Sequence, residues 1–251
     1  TIAVGWSGYL VSLLRDVGIH LPPTLTQPPY NLPAMGIVGL ITGLLVVGIR
    51  KSSQANTVLV VVKVLAILLF VIVGLFFINQ QNWLPFIPPN TGEFGAFGWS
   101  GVLRGSAMVF FAYIGFDALA NVTQEAHQPQ RNIPLAILIA LLIATVLYIT
   151  VSLVMLGIVP YQQLNVPDPI ALAVNAMGER LRWFRPVIKL AALAGLTSVL
   201  LVHLLAQTRI LYVMAMDGLL PPALAQVHPQ YKTPHLATIG SGIVALIFAG
   251  C

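Results

Sequence analysis

Apolar residues occur along this chain in long runs, separated by short connections that are polar or rich in proline and glycine. A membrane-spanning helix needs about 20 consecutive apolar residues. The pattern therefore predicts an all-α integral membrane protein. The predicted spans are 1–14, 34–49, 56–78, 98–126, 133–159, 186–214 and 235–251, with an amphipathic segment at 161–185. Because the first and last runs are apolar up to the chain ends, we expect a part of a longer polypeptide.

The predicted span 98–126 is interrupted near 112–117 by a glycine, Gly115, and a carboxylate, Asp117. Acidic side chains are rare at membrane depth and usually face a cavity or a partner. A helix interrupted in lipid leaves backbone groups unpaired, which is tolerated only where they line a cavity or face protein. Broken helices of this kind mark the binding sites of transporters, so the sequence predicts a binding site here.

The residues around the break suit a ligand that carries an ammonium group. Gly115 removes a side chain and frees the backbone, and Asp117 can cap the helix that restarts. The carbonyl groups of Phe111, Ala112 and Tyr113 would then be free to accept hydrogen bonds from an ammonium. The alternative is a buried kink in which Asp117 is satisfied locally.

Composition excludes several classes of protein. The chain has 251 residues, of which 58% are hydrophobic and 8% are charged, whereas soluble domains contain about 25% charged residues. The 12 Lys and Arg residues outnumber the 7 acids, but they are scattered at the ends of the apolar runs and form no stripe that would bind nucleic acid. The single cysteine, Cys251, rules out a disulfide framework. No pairing of nucleophile, acid and base and no metal-ligand spacing is present, so we expect neither an enzyme nor a cofactor or metal.

Three of the polar side chains inside the predicted spans are candidates for binding a proton or a cation. Lys63 follows Asn56 by seven residues, which places it roughly 10 Å into its helix. It either snorkels to the headgroups or is a buried amine that binds and releases a proton, because burial disfavours the charged form. Thr197 and Ser198 either bond back to their own helix or form a cation site facing the bundle.

A charge pair flanks the turn that follows the broken helix. Glu125 and Arg131 lie on either side of it, in the sequence QEAHQPQRNIP. This pair is either a gate that holds one side of the protein closed or an ordinary surface pair of little energy.

A short motif recurs at the ends of two predicted spans. The sequence is DVGIHLPP at 16–23 and DGLLPP at 217–222. Five connections separate the two, so they fall on opposite faces of a membrane, as in an inverted-topology repeat. Glycine and proline are also common after helix ends for local reasons, so chance remains the alternative.

The stretch FFAYIGFDALANVTQEAHQPQRNIP at 110–134 closely resembles the sixth helix and following loop of the amino acid–polyamine–organocation (APC) superfamily. It is most similar to the bacterial members of the cationic amino acid transporter branch. The resemblance runs through nearly the whole chain, including NTVLVVVKV at 56–64 and LAGLTSVLLVHLLAQTRILYVMAMDGLLP at 193–221. It implies a LeuT-type inverted-repeat helix bundle, of which this chain would hold the end of the third helix through the start of the ninth.

The resemblance implies a secondary active amino acid transporter in the bacterial inner (plasma) membrane. It would take up cationic or small neutral amino acids together with protons by alternating access. The alternatives are an amino acid exchanger and a sensor or scaffold that does not transport. An auxiliary subunit is left open. The loops 50–56, 127–132 and 215–234 would face the cytoplasm, and the segment 161–185 would lie outside.

The resemblance also assigns roles to residues. Carbonyl groups at the sixth-helix break hold the substrate α-amino group in the family, and an aromatic ring often covers the substrate. In proton-coupled relatives a fifth-helix lysine near eighth-helix hydroxyls replaces a sodium ion, which implies Lys63 with Thr197 and Ser198. The implied carbonyl donors are Phe111, Ala112 and Ile114, the covering ring is Phe111 or Phe116, and the full predicted substrate site is Phe111, Ala112, Tyr113, Ile114, Gly115, Phe116 and Asp117.

Overall fold

A computed structural model describes residues 1–26, 30–48, 52–113, 128–178 and 181–250, and these residues form helices and connections without a strand. Three helical stretches are long and apolar enough to cross a membrane, namely Val60–Phe77, Gln130–Ile158 and Phe184–Met216. The all-helical class predicted from the apolar runs is therefore confirmed. The described α-helices are α1 Ile2–Asp16, α2 Leu32–Val47, α3 Ser52–Gly74, α4 Gly98–Phe110, α5 Pro129–Ile158, α6 Pro169–Ala176, α7 Phe184–Met216 and α8 His235–Gly250.

Local capping explains where the helices begin. The Asn31 side chain accepts a hydrogen bond from the Ala34 N–H at 3.2 Å and so caps α2. Helix α5 begins with Pro129, whose missing N–H costs nothing in the first turn. Within the predicted amphipathic segment 161–185, a 3₁₀ turn at Tyr161–Gln163 precedes the short α6.

One compact unit comprises Thr1–Leu69 and Asn165–Cys251. Within it, α1 packs along α7 and α2 packs along α8. Its core is built from small and branched apolar side chains of α1, α2, α7 and α8. The buried members are Ala3, Ala34, Ile37, Val38, Ile41, Leu45, Leu200, Leu204 and Ala249.

Helices α1 and α7 end with the same backbone geometry. A glycine follows each helix in the left-handed region, Gly18 with φ +88° and Gly218 with φ +75°. The next residue then donates its N–H to a carbonyl five positions earlier, at 2.9 Å in both cases. Together these features form the Schellman arrangement that ends many helices, and each is followed by a 3₁₀ turn that a proline precedes. The bonds are Ile19 N–H to Leu14 O and Leu219 N–H to Met214 O, and the turns are Pro23–Leu25 and Pro222–Ala225.

The second compact unit is Phe70–Leu164. The connection after α3 is fastened to the end of α5, where the Gly157 carbonyl accepts from the Asn79 N–H and from Asn82 Nδ2, both at 2.9 Å. Trp83 Nε1 donates to the Leu153 carbonyl at 3.1 Å. Only 6% of the membrane-length stretch of α5 is buried, and an apolar surface of this extent is suited to contact with lipid or further protein.

Helices α2 and α8 approach closely at Gly242. A Cβ added there would lie 2.9 Å from Thr42 Cβ, and the hydroxyl and methyl of Thr42 would be nearer still. Gly242→Ala is therefore expected to lower the free energy of unfolding by about 1–3 kcal/mol through overpacking, measured by thermal unfolding in detergent. Gly240→Ala is the matched control on the same helix, because its Cβ would meet no atom within 4 Å. Equal thermal unfolding midpoints for Gly242→Ala and Gly240→Ala would contradict the close approach of α2 and α8 at Gly242.

Candidate functional site

The α-helical geometry of α4 ends at Phe110, and a 3₁₀ turn follows at Phe111–Tyr113. Such a turn has tighter, poorer hydrogen bonds and is frequent at helix ends. It lies at the start of the stretch where the sequence predicts a broken helix. Residues 114–127 lie outside the described part of the chain, so the break itself stays a prediction. The predicted site residues in that range are Ile114, Gly115, Phe116, Asp117 and Glu125.

Two side chains of α5 hold this 3₁₀ turn. Tyr148 Oη donates to the Ala112 carbonyl at 3.2 Å, and Tyr113 Oη lies 3.0 Å from Thr145 Oγ1. The Tyr113 and Tyr148 rings meet edge to face with centroids 5.5 Å apart. Among the described residues, the Ala112 carbonyl therefore already has one hydrogen-bond donor, Tyr148. The bond fixes the direction of the carbonyl that we predict to hold an ammonium.

Sequence reasoning missed both α5 residues. Their signal is spacing: Thr145 and Tyr148 lie three positions apart in a mostly apolar helix, which puts both hydroxyls on one helix face. Two hydroxyls on one face of a membrane-length helix indicate a polar contact with a neighbouring segment. The segment they contact is the 3₁₀ turn after α4.

Lys63 is half-buried on α3, and its alkyl chain lies against Gly195 of α7. A Cβ on Gly195 would be 2.8 Å from Lys63 Cδ. Within the described residues, the Lys63 ammonium makes no hydrogen bond or ion pair. The structure thus brings Lys63 to the turn of α7 that carries Thr197 and Ser198, without a bond to either hydroxyl.

The two hydroxyls of α7 face different neighbours. Thr197 Oγ1 donates to the Leu193 carbonyl at 2.7 Å and accepts from Trp6 Nε1 of α1 at 3.0 Å. This is the bonding within its own helix that the sequence left as one alternative, with an added tryptophan donor that the sequence did not indicate. Ser198 is buried and lies three positions from Gly195, so it shares the face on which Lys63 rests.

A second charged site joins α1 to α7. Lys189 has 0% side-chain exposure, and its ammonium lies 2.5 Å from Asp16 Oδ2 and 3.4 Å from the Ser12 carbonyl. The sequence analysis missed this pair. Its signal is Lys189 itself, a cation five residues inside an apolar helix, which requires a partner when buried.

Asp168 lies beside this pair, at the start of α6 and outside the membrane-length helices. Burial raises the pKa of the Asp168 carboxyl. The Ser12 hydroxyl bond and the nearby charges of Lys189 and Arg15 oppose that rise. The ends of α1 and α7 therefore carry a cluster of interacting charges.

One member of the predicted gate pair and some of the potential metal ligands lie within the described residues. Arg131 is exposed in the first turns of α5, and its predicted gate partner Glu125 lies outside the described residues. Across the part of the chain that the structure describes, no group of three or more His, Cys, Asp or Glu side chains could hold a metal ion.

Comparison with known proteins places these features in context. The profile of the amino acid permease family matches residues 1–251. The methylthioribose transporter of Bacillus subtilis is 43% identical over 256 residues, which cover 99% of this chain and 53% of the relative. The branched-chain amino acid permease BcaP of the same organism is 41% identical over 247 residues, with 94% and 51% covered. Human cationic amino acid transporter 4 is 35% identical over 258 residues, with 99% and 39% covered. The chain thus spans about half the length of the bacterial relatives.

Proposed function

Since the chain belongs to the amino acid permease family of the APC superfamily, we propose that it is part of a secondary active transporter for amino acids in a bacterial plasma membrane. Its membrane-length apolar helices support an integral membrane location. The relatives named as a branched-chain amino acid permease and a cationic amino acid transporter support an amino acid substrate. Uptake of cationic or small neutral amino acids, coupled to protons by alternating access, is the mechanism we propose.

The proposed architecture is a LeuT-type inverted repeat. In a repeat of five helices, the third and eighth helices are equivalent, as are the fourth and ninth. On the resemblance, these pairs are α1 with α7 and α2 with α8, and each pair packs together. The matched helix ends after Asp16 and Met216 also support a repeat. Equivalent elements that meet are expected near a pseudo-two-fold axis.

The observation that carries the proposed substrate site is the end of α-helical geometry at Phe110 with the Ala112 carbonyl held by Tyr148. The substrate α-amino group would donate to the carbonyl groups of Phe111, Ala112 and Ile114. Because peptide carbonyls replace water around the ammonium, its desolvation cost is offset. The remaining members of the site are Tyr113, Gly115 and Asp117 at the break, with Phe111 or Phe116 covering the substrate.

Proton coupling is assigned to Lys63. As an ammonium it would bond to the Ser198 hydroxyl, next to the hydroxyl of Thr197, and favour one conformation, and as an amine it would release that contact. A ligand or proton shifts a conformational equilibrium only through such a difference between the two states. We further propose that Glu125 and Arg131 form a gate on the cytoplasmic side.

Uptake by the complete polypeptide in proteoliposomes tests the transport proposal. One labelled amino acid, alanine, would be offered under an inward proton gradient, with arginine, leucine and methylthioribose as competitors. Methylthioribose is included because a 43% identical relative is named as its transporter. Accumulation that collapses with a protonophore supports symport. Flux only when the lumen holds an amino acid would show an exchanger, and binding without flux would show a sensor.

A further inference from the structure

Gly195 forms a groove on α7 that the Lys63 side chain fills. A Cβ at this position would lie 2.8 Å from Lys63 Cδ and 3.4 Å from Lys63 Cγ. Among the described residues, no other atom outside the helix's own neighbouring backbone lies within 4 Å of that position. Gly195 is buried and sits in the interior of α7 with ordinary helical geometry. The helix therefore has no backbone need for glycine here, and the absent side chain makes room for one particular lysine.

The groove also determines where the Lys63 ammonium is directed. Ser198 lies one turn beyond Gly195 on the same helix face, whereas Thr197 lies two positions on and points away. Trp6 of α1 donates to Thr197 from that other side. A lysine seated on Gly195 therefore shares its helix face with the Ser198 hydroxyl.

Among the described residues, the titratable side chains of α7 nearest Lys63 have contacts elsewhere. The remaining cation of α7 near this level, Lys189, is paired with Asp16. His203 Nδ1 lies 2.9 Å from the Val199 carbonyl of its own helix. Among the described residues, the structure therefore seats the Lys63 side chain against Gly195 of α7.

We propose that Gly195 is a positioning residue that seats Lys63 on α7 and so sets the efficiency of proton coupling. This inference rests on the proposed role of Lys63. A methyl group at position 195 would occupy the space of the lysine alkyl chain, and the flexible side chain would move. The stability of helix α7 itself would not fall, since alanine has a higher helix propensity than glycine.

The test measures alanine uptake by the complete polypeptide in proteoliposomes as a function of the imposed pH gradient. Misplacing a reacting group by about 1 Å can lower a rate roughly 100-fold. We therefore expect Gly195→Ala to reduce the initial rate of gradient-driven uptake by roughly 10- to 100-fold. Uptake down the amino acid gradient alone should change little. Gly240→Ala, a glycine-to-alanine change with open space around its Cβ, should match the unaltered protein in both assays.

A double variant separates this inference from the proposed function. If Gly195 acts through Lys63, then Gly195→Ala should have no further effect in a Lys63→Ala background, because coupled changes are not additive. Should Lys63→Ala alone leave the gradient dependence intact, the proposed coupling role fails. Should Lys63→Ala remove the dependence while Gly195→Ala retains it in full, the positioning role is overturned. An additive loss in the double variant would show a structural effect of Gly195 and would overturn it as well.

Discussion

Lys63→Ala is expected to remove the dependence of amino acid accumulation on an imposed pH gradient while substrate exchange continues. A gradient of one pH unit is worth about 1.4 kcal/mol per proton, so one-to-one symport accumulates substrate about tenfold. Since the proposed coupling group is then absent, the expected accumulation falls to the level without a gradient. The measurement is the steady-state ratio of internal to external labelled alanine.

Lys232→Asn provides the matched control for lost positive charge. Lys232 is exposed in the connection before α8, and its backbone has φ +57°, a conformation that asparagine tolerates. This variant should accumulate substrate like the unaltered protein. A Lys63→Ala protein that keeps its full response to the gradient would show that coupling lies elsewhere.

Hydropathy could predict the helical class because the need to pair backbone polar groups in lipid acts on every residue of a span. Backbone groups in lipid have to be paired within the segment, so a run of apolar residues reports a helix directly. The ends are less predictable. The apolar run of α1 stops before Arg15, yet the helix continues to Asp16, whose carboxylate pairs with Lys189 of α7. The end of α7 shares the Gly cap that the recurring sequence motif indicated.

The parts of the candidate site that escaped prediction depend on contacts between distant segments. Tyr148 reaches Ala112 from 36 positions away, and Trp6 reaches Thr197 from 191. Neither partner is implied by local spacing. The polar residues inside spans were visible in the sequence, as with Lys63, but the groove at Gly195 that receives it appears only when α3 and α7 pack. A single sequence therefore indicates which residues need a partner. It does not indicate equally well which partner each of them has.

The ion pair between Lys189 and Asp16 should have the largest effect on stability of the contacts described here. Removing one partner of a buried pair leaves an uncompensated charge and costs about 3–5 kcal/mol. The two partners are unequal, because Lys189 has 0% side-chain exposure and Asp16 has 24%. Asp16→Ala removes the carboxylate from an ammonium that is fully buried in the unaltered protein, so its cost should fall in that range. Lys189→Met leaves a carboxylate with some access to water, and its cost should be smaller.

The double variant Asp16→Ala with Lys189→Met tests whether the unpaired charge causes the loss of stability in Asp16→Ala. Replacing a buried pair by apolar groups is often neutral or stabilising, so the double variant should be more stable than Asp16→Ala alone, measured by thermal unfolding in detergent. Asp217→Ala is the matched control at the equivalent end of α7, where the carboxylate is exposed, and it should shift the free energy of unfolding by at most about 0.5 kcal/mol. If Asp16→Ala proved as mild as Asp217→Ala, or if the double variant were the least stable of the set, then apolar packing rather than the ion pair would hold α1 against α7 at this end.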